Sequence, residues 1–195
     1  MRLFVAVELD DEARANVVRE QHRLDRAFGD RSGIKWVRPD QIHVTLAFMG
    51  RIEDLRVDPI VDAMGRNVPG KPFELAFGGL GTFPSRGAPS VVWLGVVRGR
   101  RELVDVQGVV AERLRRLGVP LEDRSFHPHL TLGRWRDAPH AAGRMVSAAV
   151  REGEAARVTV EAVTLFQSRL SPAGATHLPL CRARLGEVPS EPLQS

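Results

Sequence analysis

The chain has 195 residues, 43% of them hydrophobic and 27% charged, and 28 basic against 24 acidic side chains leave a net charge of +4. That is enough apolar material for a folded core, which excludes disordered and low-complexity classes, and the length suits one domain or two closely joined lobes. The longest apolar run, Val91 to Val97, is far short of a membrane span. Leu3 to Val7 is broken by Glu8 and lacks the small-residue cleavage site of a signal peptide. A single cysteine, Cys181, allows no internal disulfide, so the expected setting is the reducing cytoplasm. Lys35 and Lys71 are the only lysines; the rest of the positive charge is arginine, a planar fork suited to phosphate. Arg113, Arg115 and Arg116 are also explained by a predicted helix C-terminus, where cations are favourable.

In chain order, Leu3 to Leu9 reads as a buried strand. Asp10 suits a helix cap and Asp11 and Glu12 a first turn; Ala13, Val17, Leu24 and Phe28 then recur at helical spacing until Gly29. Ile34 to Val37 is short and extended, His43 to Met49 is a clear strand, and Asp54 to Val68 is expected to be helical despite Pro59 and Gly65. Phe73 to Phe77 is a strand, Gly78 to Pro89 a turn-rich loop, and Val91 to Val97 another strand. Leu103, Val106, Val110, Leu114 and Leu117 form one helical stripe closed by Gly118. His129 to Gly133 is a strand, His140 to Arg151 helical, Arg157 to Gln167 extended, and His177 to Ala183 a last strand in which Pro179 marks an edge. Residues 1–185 form a single domain on this reading, with 186–195 a flexible tail.

This order of elements occurs twice. His43-Val44-Thr45-Leu46 and His129-Leu130-Thr131-Leu132 lie 86 residues apart, the preceding strands start 40 and 38 residues upstream, and the next strands 30 and 28 residues downstream. Phe83-Pro84-Ser85-Arg86 and Phe166-Gln167-Ser168-Arg169 echo each other as following loops. Agreement of these intervals points to an internal duplication. The expected architecture is α+β and bilobal, two pseudo-symmetric lobes of mainly antiparallel sheet with outer helices, whose equivalent strands face each other across a central groove.

On a strand, side chains alternate, so His43 and Thr45 share one face and Val44 and Leu46 the other; His129 and Thr131 do the same against Leu130 and Leu132. Each strand thus offers an apolar face to its lobe and a His/Thr face to the groove. Two imidazoles near neutral pH can supply one base and one acid to a single site, and threonine hydroxyls can donate to phosphoryl oxygens. One such histidine would more often be an ordinary structural residue; two in matching repeat positions reverse those odds. His22, His140 and His177 have no such context and are assigned to surface or packing roles.

These two segments resemble the paired H-x-T-x signatures of the 2H phosphoesterases. Together with Arg2-Leu3-Phe4-Val5-Ala6, His43-Val44-Thr45-Leu46-Ala47-Phe48 and Phe126-His127-Pro128-His129, they resemble the bacterial and archaeal RNA 2′,3′-cyclic phosphodiesterases, also called 2′-5′ RNA ligases. The resemblance implies hydrolysis of a 2′,3′-cyclic phosphate at an RNA 3′ end to a 2′-phosphomonoester, with no metal or other cofactor, and with reversible 2′-5′ ligation as a further activity. It implies His129 as proton acceptor, His43 as proton donor, and Thr45, Thr131 and Arg134 as phosphate contacts. Simple alternation puts Arg134 off the His129 face, so a twist or bulge at the strand end must re-aim it, and a solvated strand-end arginine is an equal alternative to phosphate contact. Trp36, Phe48, Phe126 and Trp135 are candidates to stack a base, although each such ring is more often a core or lobe-packing aromatic. The expected partner is RNA with a cyclic phosphate end, tRNA fragments among the candidates, bound by a monomer and not by a membrane protein.

Three other readings stay open. His127 and His129 on one strand face, with His43, suit a metallohydrolase. The arginines and aromatics suit a non-catalytic RNA-binding module. A 2H phosphoesterase acting on a non-RNA cyclic phosphate or 2′-5′ linkage would carry the same motifs. Gly78-Gly79-Leu80-Gly81 lacks the G-K-[ST] ending of a phosphate-binding loop and is read as a hairpin loop.

Overall fold

The computed structural model describes residues 1–29, 32–122, 125–171 and 174–186. The chain opens with strand β1 (Arg2–Glu8) and helix α1 (Asp11–Phe28). The Asp10 carboxylate accepts from the Ala13 N–H at 2.7 Å, Asp11 and Glu12 sit in the first turn, and Gly29 ends the helix at φ +73°. Strands β2 (Ile34–Trp36) and β3 (His43–Arg51), helix α2 (Val57–Gly65), and strands β4 (Val68–Pro69), β5 (Phe73–Phe83) and β6 (Val91–Arg98) complete the first half. The second half holds α3 (Arg100–Arg116), β7 (His129–Trp135), α4 (Ala142–Ala149), β8 (Glu154–Val160), β9 (Ala162–Ser171) and β10 (Gly174–Gly186). The basic last turn of α3 is in place, and Arg113 uses it to donate to the Arg66 carbonyl at 2.7 Å.

The strands form two five-stranded sheets, ordered β3-β1-β9-β10-β4 and β2-β7-β6-β5-β8, antiparallel throughout except for the short β10–β4 pair. Helices α2 and α3 pack on the first sheet, α1 and α4 on the second. The fold is the expected bilobal α+β arrangement, but the halves of the chain are not the lobes. β5, from the first half, lies between β6 and β8 in the second sheet, and β9, from the second half, lies between β1 and β10 in the first. The duplication is therefore closed by an exchange of strands.

Four expectations change in detail. Gly78 to Phe83 is the continuation of β5, with Gly79 at φ +63° absorbing a register shift. At Gly81 a Cβ would lie 2.1 Å from the Trp93 ring, so glycine there makes room for an indole instead of building a loop. The extended stretch from Arg157 is two strands in different sheets, β8 and β9, and Phe166 to Arg169 lies within β9, so it is not a loop matching Phe83 to Arg86. The helix expected from Asp54 starts at Val57 after a short 3-10 turn, and Val68 belongs to β4. Pro179 does lie on an edge, since β10 pairs with β4 only at Leu185 and Gly186. Gly186 ends β10; residues 187–195 of the expected tail lie outside the described residues.

The motif strands are anchored in one continuous core. Val44, Leu46, Leu130 and Leu132 are buried there, while His43, Thr45, His129 and Thr131 stay partly accessible on the opposite faces. A separate small apolar cluster, Phe4, Ala6 and Phe166, floors the groove side of the first sheet.

Candidate active site

Both motifs open onto one cleft of about 270 Å³, lined by His43, Thr45, His129, Thr131 and Arg134, with Phe4, Val37, Gln41, Phe48, Ser168, Ala175 and His177 completing it. All five sequence-predicted site residues therefore meet in one place. A larger, more open cavity of about 540 Å³ beside α1 and the β5–β6 strands holds none of them.

The two histidines are held alike. His43 Nδ1 lies 2.7 Å from the Gln41 carbonyl, and His129 Nδ1 lies 2.7 Å from the His127 carbonyl. A carbonyl only accepts, so in each ring Nδ1 carries the proton and donates, which leaves Nε2 as the nitrogen that gains or loses one. Burial pushes the His43 pKa down to about 4, helped by the charges of His177, Arg134 and His129 and opposed by the Gln41 carbonyl. Burial also lowers His129, against the pull of the His127 carbonyl and with the charges of His127 and Arg134. In the free protein both rings are neutral at pH 7, and a bound anion would raise their proton affinity.

Arg134 reaches the cleft because of a bulge. On β7, Gly133 pairs with Val92 and Thr131 with Trp93, so Leu132 is the extra residue. Leu132 and Gly133 are both buried, and the next residue, Arg134, comes out on the His129 side. The matching bulge on β3 falls at Leu46, between the pairs Ala47–Val5 and Thr45–Ala6, and brings Phe48 to the cleft. Gln21 secures the β7 bulge: this buried α1 side chain donates from Nε2 to the carbonyls of Leu132 and Val37, both at 2.9 Å. The Val37 N–H donates to the same Leu132 carbonyl at 2.9 Å.

The surroundings of the two histidines differ. The His43 ring lies 4.9 Å from Phe4 and 5.2 Å from His177, centroid to centroid. The His129 ring meets Phe83 at 5.0 Å and Trp93 at 6.1 Å.

The family model of the 2′-5′ RNA ligase superfamily matches residues 9–171. The chain belongs to this superfamily. Among its relatives, a protein of Archaeoglobus fulgidus named RNA 2′,3′-cyclic phosphodiesterase is 39% identical over 134 residues, covering 69% of this chain and 72% of its own. One of the same name from Methanothermobacter thermautotrophicus is 32% identical, with 89% and 93% covered. Among solved structures, TT0787 of Thermus thermophilus aligns with a TM-score of 0.72 at 30% identity, covering 95% of this chain and 98% of that one. Escherichia coli LigT complexed with 3′-AMP aligns at 0.74 and 27% over the same shares.

In this 2′-5′ RNA ligase superfamily member the cleft takes in a histidine from outside both motifs, and three of the four candidate aromatics pack in or against the core. His177, assigned to surface or packing, lines the cleft. Of the four candidate stacking aromatics only Phe48 reaches it, 41% exposed. Trp36 stacks on Phe28 and donates to Asp25 at 2.7 Å, Trp135 is buried and donates to the Ser32 carbonyl at 2.8 Å, and Phe126 packs on the core. Phe4, Phe83 and Trp93 are the rings that flank the histidines. Among the described residues no three His, Cys, Asp or Glu side chains gather as a metal site would need, and His127, ring centroid 6.3 Å from that of His129, is exposed. No helix among the described residues is long and apolar enough to cross a membrane.

Proposed function

We propose that this protein hydrolyses RNA 2′,3′-cyclic phosphate ends to 2′-phosphomonoesters by acid–base catalysis between His43 and His129, without a metal. The observation that carries the reading is the pair of identically tethered imidazoles facing one cleft with a threonine beside each. The names of the relatives and the 3′-nucleotide in LigT support this substrate class.

His129 Nε2 accepts a proton from water as the water oxygen attacks phosphorus, and the P–O3′ bond breaks. His43, protonated at Nε2 once the phosphodiester anion is bound, gives that proton to O3′. Thr45, Thr131 and Arg134 hold the non-bridging oxygens by hydrogen bonds, which strengthen where the acceptor carries charge. With a 5′-hydroxyl in place of the water, the same steps join O5′ to phosphorus as the P–O3′ bond breaks and give a 2′-5′ phosphodiester; in the reverse reaction O3′ attacks, the 5′ oxygen leaves and the two histidines exchange roles, which is the basis for reversible 2′-5′ ligation. Both histidines, both threonines and Arg134 meet in the cleft without a residue from a second copy, and the proposal takes a monomer as the acting unit and tRNA fragments with cyclic ends among its substrates.

The test is an oligonucleotide ending in a 2′,3′-cyclic phosphate, incubated with the protein in chelator. The expected product carries the phosphate on O2′, and His43→Ala and His129→Ala each lose roughly 10²–10⁴-fold in kcat. Either variant keeping more than about a tenth of the wild-type rate would overturn the paired mechanism, because a lost acid or base costs at least that much. Binding with no turnover by the wild type would favour an RNA-binding module.

A further inference from the structure

His177 is a titratable side chain of the cleft that no part of the duplicated motif accounts for. It sits on β10, three places from β3 in the sheet order. Strands so placed in a flat sheet lie about 14 Å apart. Yet the His177 and His43 ring centroids are 5.2 Å apart with the planes at 79°. The first sheet therefore curls until β10 comes back over β3, and a hydrogen bond from the Gln41 side chain to the Ala175 carbonyl closes the curl at the entry to β3. Phe4 fills the remaining corner, 4.9 Å from His43 and 4.8 Å from His177, and is itself stacked on Phe166 at 5.2 Å. His43 is thus held in a box of rings supplied by β1 and β10. His129 draws its ring neighbours from nearer strands of its sheet, Trp93 from β6 beside β7 and Phe83 from β5 one place further.

We propose that His177 is a positioning residue that acts through His43, its edge-on ring fixing the His43 imidazole with Nε2 toward the phosphoryl group. This rests on the acid role given to His43 above. An imidazole pinned at Nδ1 by one carbonyl can still rotate about that bond, and the contact with His177 removes that freedom. His177 adds a charge effect, since its protonated form makes the His43 proton easier to surrender. The groups that face His177 are His43 from β3 and Asp40 and Arg38 from the β2–β3 connection, Asp40 favouring its charged form and Arg38 opposing it. Those facing His43 are His177, Arg134 and His129. Glu8, its register partner on β1, has its carboxylate engaged by the Thr164 hydroxyl at 2.7 Å.

The experiment compares wild type, His177→Ala and His177→Phe in the full chain, with His43→Ala as the reference for a lost acid. Two readouts are taken: kcat and KM on the cyclic-phosphate oligonucleotide, and the His43 titration in substrate-free protein by ring ¹⁵N NMR. His177→Ala should lower kcat roughly 10-fold with KM little changed, since a misoriented catalytic group costs rate and not binding. His177→Phe keeps the ring and should restore most of kcat, while the His43 titration moves to higher pH because the neighbouring charge is gone. Both variants matching wild type in kcat and in the His43 titration would overturn the proposal. So would a raised KM at unchanged kcat, which would make His177 a substrate contact. If wild type itself fails to turn over the oligonucleotide, the reading of the site fails, and the NMR titration still decides whether His177 and His43 are coupled.

Discussion

Burial of His43 as a neutral ring makes the stability of the protein depend on pH in a direction and by an amount that can be worked out. An unfolded histidine titrates near 6.5, whereas the folded ring is pushed down to about 4, first by burial and then by the charge of His177. Between those values the unfolded chain binds a proton that the folded chain refuses, so the contribution is fully present above the unfolded value and is lost as pH falls. Linkage puts the loss between pH 7 and pH 5 at about 2 kcal/mol for this one group, approaching roughly 3 kcal/mol as pH falls below the folded value. His129 and His177 are lowered too and act with the same sign, so wild type alone does not isolate His43. The control is His43→Gln, a neutral side chain of similar reach. Urea denaturation at pH 7 and pH 5 gives the change in unfolding free energy for each protein. The variant should lose about 2 kcal/mol less than wild type over that interval, whatever its stability at pH 7. Equal losses would show that His43 titrates normally in the folded chain, and the argument that substrate must bring its proton affinity up would fall with it.

Three further outcomes are expected. Thr45→Val and Thr131→Val each remove one hydrogen bond to a charged oxygen, worth roughly 1.5–3 kcal/mol, so kcat/KM should fall about 10- to 150-fold in steady-state assays on the cyclic-phosphate oligonucleotide. Arg134→Ala should raise KM for that substrate and Arg134→Lys should recover only part of the loss, because a point charge does not replace a bidentate fork. Gln21→Leu removes the Gln21 donor from the Val37 carbonyl and leaves the Leu132 carbonyl with the Val37 N–H, at a cost of roughly 1–3 kcal/mol in urea denaturation, and should lower kcat/KM as well by loosening the bulge that aims Arg134.

Where structure follows from local pattern, it is legible in the residues. The His/Thr alternation on β3 and β7, the Asp10 cap and the α1 stripe depend on neighbours within a few positions, and each is found where expected. Alternation also shows that Arg134 needs a twist or a bulge to reach the His129 face, and the pairing with β6 shows which of the two it is. What is not legible depends on distant partners. Gly78 to Gly81 looks like a loop by composition, but it is strand because β6 pairs with β5 through Gly81, past the point at Gly78 where β8 stops, and the Trp93 ring needs the space over Gly81. Gln21 interrupts an apolar stripe, and nothing near it announces a buried carbonyl from residue 132. His177 is remote from both motifs, and only the curl of the first sheet brings it to His43. Strand exchange between the halves leaves no mark on spacing, since β5 and β9 have similar lengths whichever sheet they enter.

The duplication explains why the cleft can run acid–base chemistry, and its departures from symmetry explain how the two histidines can do different work. The repeat supplies equal parts: a carbonyl behind each Nδ1, a threonine two residues on, and a bulge at the leucine that follows each threonine. Two residues past each bulge the halves part company, Arg134 on the His129 side and Phe48 on the His43 side. The strand exchange carries the difference further, because β10 brings His177 to His43, with Phe166 of β9 stacked on Phe4 behind it, while β5 and β6 bring Phe83 and Trp93 to His129. A symmetric pair of imidazoles would have no preference for giving or taking a proton. A more enclosed ring with a titratable neighbour holds its proton less firmly, and on this difference rests the proposed division of labour, His43 as acid and His129 as base.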